Sequence, residues 1–277
     1  MSQSDQTTAS GSKEKAFLYD LYIVPLWRER FDRILDEEIK LPGEGKLLDA
    51  GCGTGGYTVE MAHRAGARVE VVGIDDSAER IAIARGKAEV AYLKRAVFHQ
   101  GSMIALGALD EEFDLAVGDG SMLPAEDLGE VFAEIARVAK PNAVVCMKLT
   151  TRGSFDEFFS LYWEALYELE LTRFTPQLEG LIIERPAIGD AEDAARAAGW
   201  KQVRSVTRKE QFEFGDAAAF FASPLIETAF LEDWMAILPD EKTRGRVRRQ
   251  LLAIIDRERH GLAFDVSVKA TLVIGQK

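Results

Sequence analysis

An apolar strand that ends in a carboxylate and runs into a glycine loop, Leu47-Leu48-Asp49-Ala50-Gly51-Cys52-Gly53-Thr54-Gly55-Gly56, constrains this chain more than any other stretch. A helical pattern opens directly after it at Tyr57-Thr58-Val59-Glu60-Met61-Ala62. Glycines let the backbone turn tightly, and they let a ligand approach the main chain where a side chain would collide with it. Two nucleotide-binding fingerprints overlap here. Gly51, Gly53 and Gly56 satisfy G-x-G-x-x-G, a weak signal by itself. Asp49, Gly51, Gly53 and Gly55 satisfy the tighter D-x-G-x-G-x-G.

The carboxylate decides between them. A dinucleotide sets a pyrophosphate against such a loop, and an anion at the end of the strand repels it. S-adenosylmethionine carries no phosphate; of its ammonium, carboxylate and sulfonium, two are favoured by a nearby negative charge. Asp49 to Gly56 resembles the first motif of the class I S-adenosylmethionine-dependent methyltransferases, and the resemblance continues at the expected intervals. Val69 to Asp75 is similar to that family's second strand, followed by Asp76-Ser77. Ala96 to Met103 resembles the third strand with its adenine-side loop, and Phe113 to Pro124 the fourth strand with its loop. Val131 to Val145 is similar to the helix, turn and fifth strand, with Asn142-Ala143 in place of the usual Gly-Gly.

The resemblance implies an α/β fold: a Rossmann-like doubly wound seven-stranded sheet, mostly parallel with an antiparallel last strand, plus helical cap insertions. It implies roles as well. Gly51 and Gly53 let the backbone approach the methionine portion, and Asp49 supports the loop and the ammonium. Asp75 holds the ribose, while Ser102 and Met103 line the adenine. Asp119 stands where the transferable methyl points, although a turn-capping Asp between two glycines fits that position equally. Asp76 reads better as the cap of the helix from Ser77 than as the ribose ligand. Tyr19 and Tyr22 resemble tyrosines that close over the methionine end; a buried structural role is the even alternative.

The remaining sequence sets the organisation. At 277 residues the chain is long enough for one large domain with a cap. Residues 1–12 are polar, lack the apolar stretch of a signal peptide, and read as a disordered leader. Residues 13–277 then form a single methyltransferase domain, with cap segments at 13–40, 151–186 and 210–262. In the first of these Pro25 breaks a helix or starts its second half. The expected strands 46–50, 69–74, 95–100, 113–118 and 143–149 are Val/Leu/Ile runs suited to burial on both faces, with 200–207 as the next strand and a last run after it. Asp265, Ser267, Lys269 and Thr271 alternate with apolar residues in the last one.

Composition narrows the partners. No apolar run reaches the about 18–20 residues that span a bilayer. Two cysteines, Cys52 and Cys146, are too few for a disulfide framework or a zinc site, and no metal site is expected. These features together suit the cytoplasm. The net charge of −12 disfavours duplex nucleic acid. The stretch from Lys242 to Arg259, with Arg246, Arg248 and Arg249 at its centre, reads as a solvated helix face or as a seat for an anionic carrier or RNA.

Methyl transfer needs alignment, exclusion of water and, for hydroxyl or ammonium nucleophiles, removal of a proton. No catalytic base stands out; His63, His99 and His260 each read as structural. The runs used by adenine- or glutamine-directed amino-methylating enzymes and by cytosine C5 enzymes are missing. The sequence therefore points to methyl transfer onto a small organic acceptor. A nicotinamide-dependent oxidoreductase and a non-catalytic S-adenosylmethionine-binding protein remain the alternatives.

Overall fold

The computed structural model describes residues 3–258 and 261–277, so His260 and Arg259 lie outside the described residues. The chain opens with α1 (Gln3–Leu18), passes through a π-helical stretch (Tyr19–Arg28) and continues as α2 (Glu29–Glu38). Alternation of strand and helix follows: β1 (Glu44–Ala50), α3 (Gly56–Arg64), β2 (Arg68–Asp75), α4 (Ala78–Val90), β3 (Ala96–Gln100), β4 (Phe113–Gly120), α5 (Leu128–Val138) and β5 (Ala139–Thr151). Next come α6 (Asp156–Glu168), α7 (Thr175–Glu184), α8 (Ile188–Ala197) and β6 (Lys201–Phe214). The chain ends with α9 (Ala217–Phe221), α10 (Pro224–Ala229), α11 (Leu231–Ala236), α12 (Glu241–Glu258) and β7 (Phe264–Gln276).

Seven strands form one sheet in the order β3-β2-β1-β4-β5-β7-β6. β1 pairs in parallel with β2 from Glu44↔Arg68 to Ala50↔Ile74, and with β4 from Leu47↔Leu115 to Ala50↔Gly118. β2–β3 and β4–β5 are also parallel. β7 runs against β5: Lys277 N donates to Ala143 O, whereas Thr151 Oγ1 at the other end of β5 donates to Lys269 O. The expected fold class is the observed one. The reversal of strand order beside β1 puts the carboxyl ends of β1, β2 and β4 around one crevice, the usual ligand position in such sheets.

The chain separates into two compact units. The first comprises Met1–Leu149, Ile188–Thr207 and Ala270–Lys277; the second comprises Thr150–Ala187 and Arg208–Lys269. In the first unit, Leu48, Val72, Ala116, Val145 and Met147 of the sheet are buried with Val131, Phe132 and Ile135 of α5. Trp200 meets the Phe132 ring edge-on at 4.9 Å and donates Nε1–H to Phe132 O at 3.1 Å. The second unit has an aromatic interior. Trp234 stacks on Phe158 at 4.7 Å and on Phe230 at 5.3 Å, and Phe220 lies 5.2 Å from Phe221. Of the three segments expected to cap a single domain, 13–40 belongs to the first unit, whereas 151–186 and 210–262 fall in the second.

Three local expectations need correction. The leader expected at 1–12 is helical from Gln3, and α1 docks on α4 through Ser12 Oγ, which donates to Glu79 Oε1 at 2.9 Å. Pro25 neither breaks nor starts a helix. It sits inside the π-helical stretch, whose wider turn tolerates the missing N–H that would interrupt an α-helical ladder. Residues 210–214 extend β6 instead of opening a helical insertion. Among the described residues no helix is long and apolar enough to cross a membrane, and no cluster of His, Cys, Asp or Glu is placed to hold a metal ion.

Candidate functional site

The glycine loop after β1 is shaped by backbone that side chains rarely adopt. Gly51 has φ +71°, and a Cβ there would stand 2.8 Å from Met103 Sδ and 3.1 Å from Asp119 O. Gly53 has φ +58°, and a Cβ there would meet Arg28 Nη1 at 2.8 Å and the Tyr19 ring at 2.9 Å. The space over Gly53 is thus filled by the chain's own π-helical stretch.

Each neighbouring strand end contributes one polar group. At the end of β2, Asp75 Oδ2 accepts from Gly53 N at 2.8 Å; its Oδ1 accepts from Ser77 N at 3.0 Å and Arg80 Nε at 2.8 Å. Ser77, not Asp76, caps α4, its Oγ accepting from Arg80 N. At the carboxyl end of β4, Asp119 Oδ1 accepts from Ser121 Oγ at 2.6 Å and Ser121 N at 3.1 Å. Trp27 Nε1 donates to that same Ser121 Oγ at 3.0 Å, which ties the π-helical stretch to the β4 loop. Together these groups border a cavity of about 390 Å³, lined by Tyr19, Arg28, Gly51, Asp75, Ser102, Met103 and Asp119 with Arg80 and Ser121.

Behind the cavity lies a cluster of buried charge. Arg28 donates to Tyr19 Oη at 2.8 Å and to Gly51 O at 2.7 Å, and its Nη2 stands 3.0 Å from Asp119 Oδ2. Lys148 is fully buried on β5, with Nζ 2.5 Å from Asp32 Oδ1 and 3.4 Å from Asp119 Oδ2. The Asp119 Oδ2 contacts are ion pairs without well-directed hydrogen bonds. Asp49 is wholly buried; Oδ2 accepts from Thr58 Oγ1 at 2.5 Å, and Oδ1 accepts no hydrogen bond.

The environment sorts these groups by charge preference. Burial raises a carboxyl, but Arg28, Lys148 and the Ser121 hydrogen bonds outweigh it and bring Asp119 down to about 2. Asp32 goes the other way. Its burial exceeds the pull of Lys148 and Arg28 and pushes it up to about 6. Asp49 is likewise raised by burial, offset in part by Lys148 and Arg28. Burial lowers the affinity of Arg28 for its proton, yet Asp119 and its other neighbours carry it well above the ordinary guanidinium value.

Six of the eight residues expected at the site line this one cavity: Tyr19, Gly51, Asp75, Ser102, Met103 and Asp119. Asp49 and Gly53 lie behind it. Asp49 braces α3 through Thr58, and Gly53 is covered by Tyr19 and Arg28. His63 and His99 are exposed. Sequence reasoning missed Arg28, Asp32, Arg80, Ser121 and Lys148. Lys148 had a signal, a lone cation within the apolar run Val144-Val145-Cys146-Met147-Lys148-Leu149.

Comparison with known proteins agrees with this geometry. Residues 43–172 match a family model described as a methyltransferase domain. The chain is 30% identical over 146 residues to a demethylmenaquinone methyltransferase of Bacillus cereus, covering 52% of this chain and 60% of that protein. It thus spans about three-fifths of the length of the curated relatives it matches. Phosphoethanolamine N-methyltransferase 2 of Haemonchus contortus, solved with S-adenosyl-L-methionine, superposes with a TM-score of 0.56 at 15% identity over 96% of this chain and 57% of that one. The [4+2]-cyclase SpnF superposes with a TM-score of 0.53 at 19% identity over 90% of this chain and 80% of that one. At these identities the structural likeness concerns the fold alone.

Proposed function

We propose that this chain, whose residues 43–172 match a methyltransferase-domain model, is a class I S-adenosylmethionine-dependent methyltransferase that moves a methyl group from S-adenosylmethionine to a small organic acceptor by in-line displacement. The observation that carries this reading is the cavity itself. It joins a glycine loop that admits no Cβ, a carboxylate at the end of β2, and a carbonyl and carboxylate, Gly51 O and Asp119, suited to a cation. The residues fit the cofactor, whose sulfonium supplies an activated methyl and whose net positive charge opposes the buried carboxylates.

The chain's own groups then have distinct tasks. Asp75 accepts hydrogen bonds from the ribose hydroxyls once Arg80, which is partly exposed and also paired to Asp76, swings outward. Met103 and Ile104 cover the adenine edge. Tyr19 and Arg28 close over the methionine end, and Trp27 holds that closure against the β4 loop through Ser121. Exclusion of water by this cover strengthens each electrostatic contact beneath it.

Asp75→Ala should weaken S-adenosylhomocysteine binding by about 1.5–3 kcal/mol, the range for charge-assisted hydrogen bonds. Unchanged calorimetric affinity in a folded variant would remove the ribose assignment. In the wild type, S-adenosylhomocysteine should raise the melting temperature and NADH should not; the reverse favours the oxidoreductase reading. A non-catalytic or non-methylating role has one observation on its side. Asp119, the carboxylate placed nearest the expected methyl position, is already committed to Arg28 and Ser121. Methyl transfer to a metabolite pool separates the two.

Choice of acceptor is assigned to the second unit, which carries no motif shared with the methyltransferase core. On its α12, Arg246, Arg248 and Arg249 are all exposed, and Arg248 also lies over the Phe221 ring at 5.3 Å. If the acceptor or its carrier is anionic, reversing the Arg246 and Arg249 charges should raise its apparent KM, more so at low salt. An unchanged KM at low salt would make the stretch a solvated face.

A further inference from the structure

Burying ions seldom stabilises a fold, because the attraction between them rarely recovers the cost of removing both from water. Lys148 and Asp32 are nevertheless buried against each other, and neither lines the cofactor cavity. They connect to that cavity through Asp119, whose Oδ2 faces both Lys148 and Arg28. Asp49 adds its charge from the end of β1. The group therefore holds two cations, Arg28 and Lys148, against three carboxylates, Asp32, Asp49 and Asp119. Its formal sum is one negative charge.

The proposed reaction changes the charge of what sits beside this group. S-adenosylmethionine enters with one net positive charge. Transfer breaks the sulfur–methyl bond, the electron pair of that bond stays on sulfur as the acceptor forms its new bond to carbon, and the sulfonium becomes a neutral thioether. S-adenosylhomocysteine leaves with no net charge.

We infer that the five buried charges act as one electrostatic unit whose single carboxylate excess favours the sulfonium cofactor over its neutral product, and that Asp32 and Lys148 set that excess from outside the cavity. This rests on the cofactor reading above. The comparison between variants does not depend on where Arg28 moves when ligand enters, because Arg28 is present in all of them. A unit charge about 10 Å from a bound cation, at an effective dielectric of about 20, changes its binding roughly tenfold.

The test is the ratio of the two affinities, measured by calorimetry on the full chain. Asp32→Asn brings the sum to zero and should cut the preference for S-adenosylmethionine over S-adenosylhomocysteine by about tenfold. Lys148→Met also removes the cation that holds Asp32 ionised, so it doubles the excess only at a pH alkaline enough to keep Asp32 charged, and there should raise that preference by about the same factor. The double variant Asp32→Asn/Lys148→Met restores the original sum and should return the ratio to near the wild-type value. S-adenosylhomocysteine, being neutral, reports in each case that the cavity is still formed. If Lys148→Met does not fold, Asp32→Asn and the double variant decide. A ratio equal in all folded variants overturns the inference while leaving the cofactor reading intact, and so does a double variant that keeps the Asp32→Asn change. A wild type that binds neither ligand overturns both.

Discussion

Gly53→Val should leave a folded protein that no longer binds S-adenosylhomocysteine measurably. A β-branched residue at φ +58° costs about 1–2 kcal/mol in backbone strain alone. Its Cβ would also displace the Arg28 guanidinium and the Tyr19 ring, which now stand 2.8 and 2.9 Å from that position. Arg28 would lose its contacts to Tyr19 and Gly51 together, each a charge-assisted hydrogen bond worth about 1.5–3 kcal/mol. The cover that Tyr19 and Arg28 make over the glycine loop would open as a piece. Circular dichroism retained with affinity lost is the expected pair of results; retention of both would mean the π-helical stretch does not guard the site.

Trp234→Ala should destabilise the second unit by about 3–5 kcal/mol, the range for removing a large aromatic from a packed interior. Trp234 contacts Phe155, Phe158, Phe159 and Phe230, with centroid separations between 4.7 and 5.5 Å, and its carbonyl accepts from Tyr162 Oη. Such a cluster has little freedom to collapse around the void. Denaturant unfolding monitored by the remaining aromatic signals should show the loss; a midpoint within experimental error of the wild type would show that the cluster is loosely packed. Phe221 belongs to the same interior, so substitutions at these positions report on packing before they report on acceptor choice.

What was legible in the sequence was what neighbouring residues determine together. The strand, glycines and helix from Leu47 to Ala62 carry their own geometry, and the Val/Leu/Ile runs announce strands buried on both faces. The charged cluster could not be found that way. Asp32 and Lys148 are separated by 116 positions, and Asp32 sits in a helix whose apolar residues mask it as an ordinary surface acid. Arg28 carries no local signal, since nothing in its neighbourhood says that Pro25 will be accommodated in a widened turn that brings Trp27 to Ser121 and Arg28 to Asp119. The helix from Gln3 was missed for a simpler reason. Its polar composition has no apolar period to detect.

The placement of β7 between β5 and β6 has a consequence for how the protein is made. β6 is the sheet's edge, with β7 as its neighbour, and residues 270–277 are the last of the first unit to leave the ribosome. Until they emerge, residues 201–207 have no strand to pair with, and β5 is open along the side that Leu272, Val273 and Ile274 will cover. Two unpaired edges, an apolar one on β5 and a largely polar one on β6, therefore persist while residues 208–269 are made, when edge-to-edge association with other nascent chains is favoured. Completion of this sheet is an insertion, not an addition: β7 must slide between two strands that are already waiting.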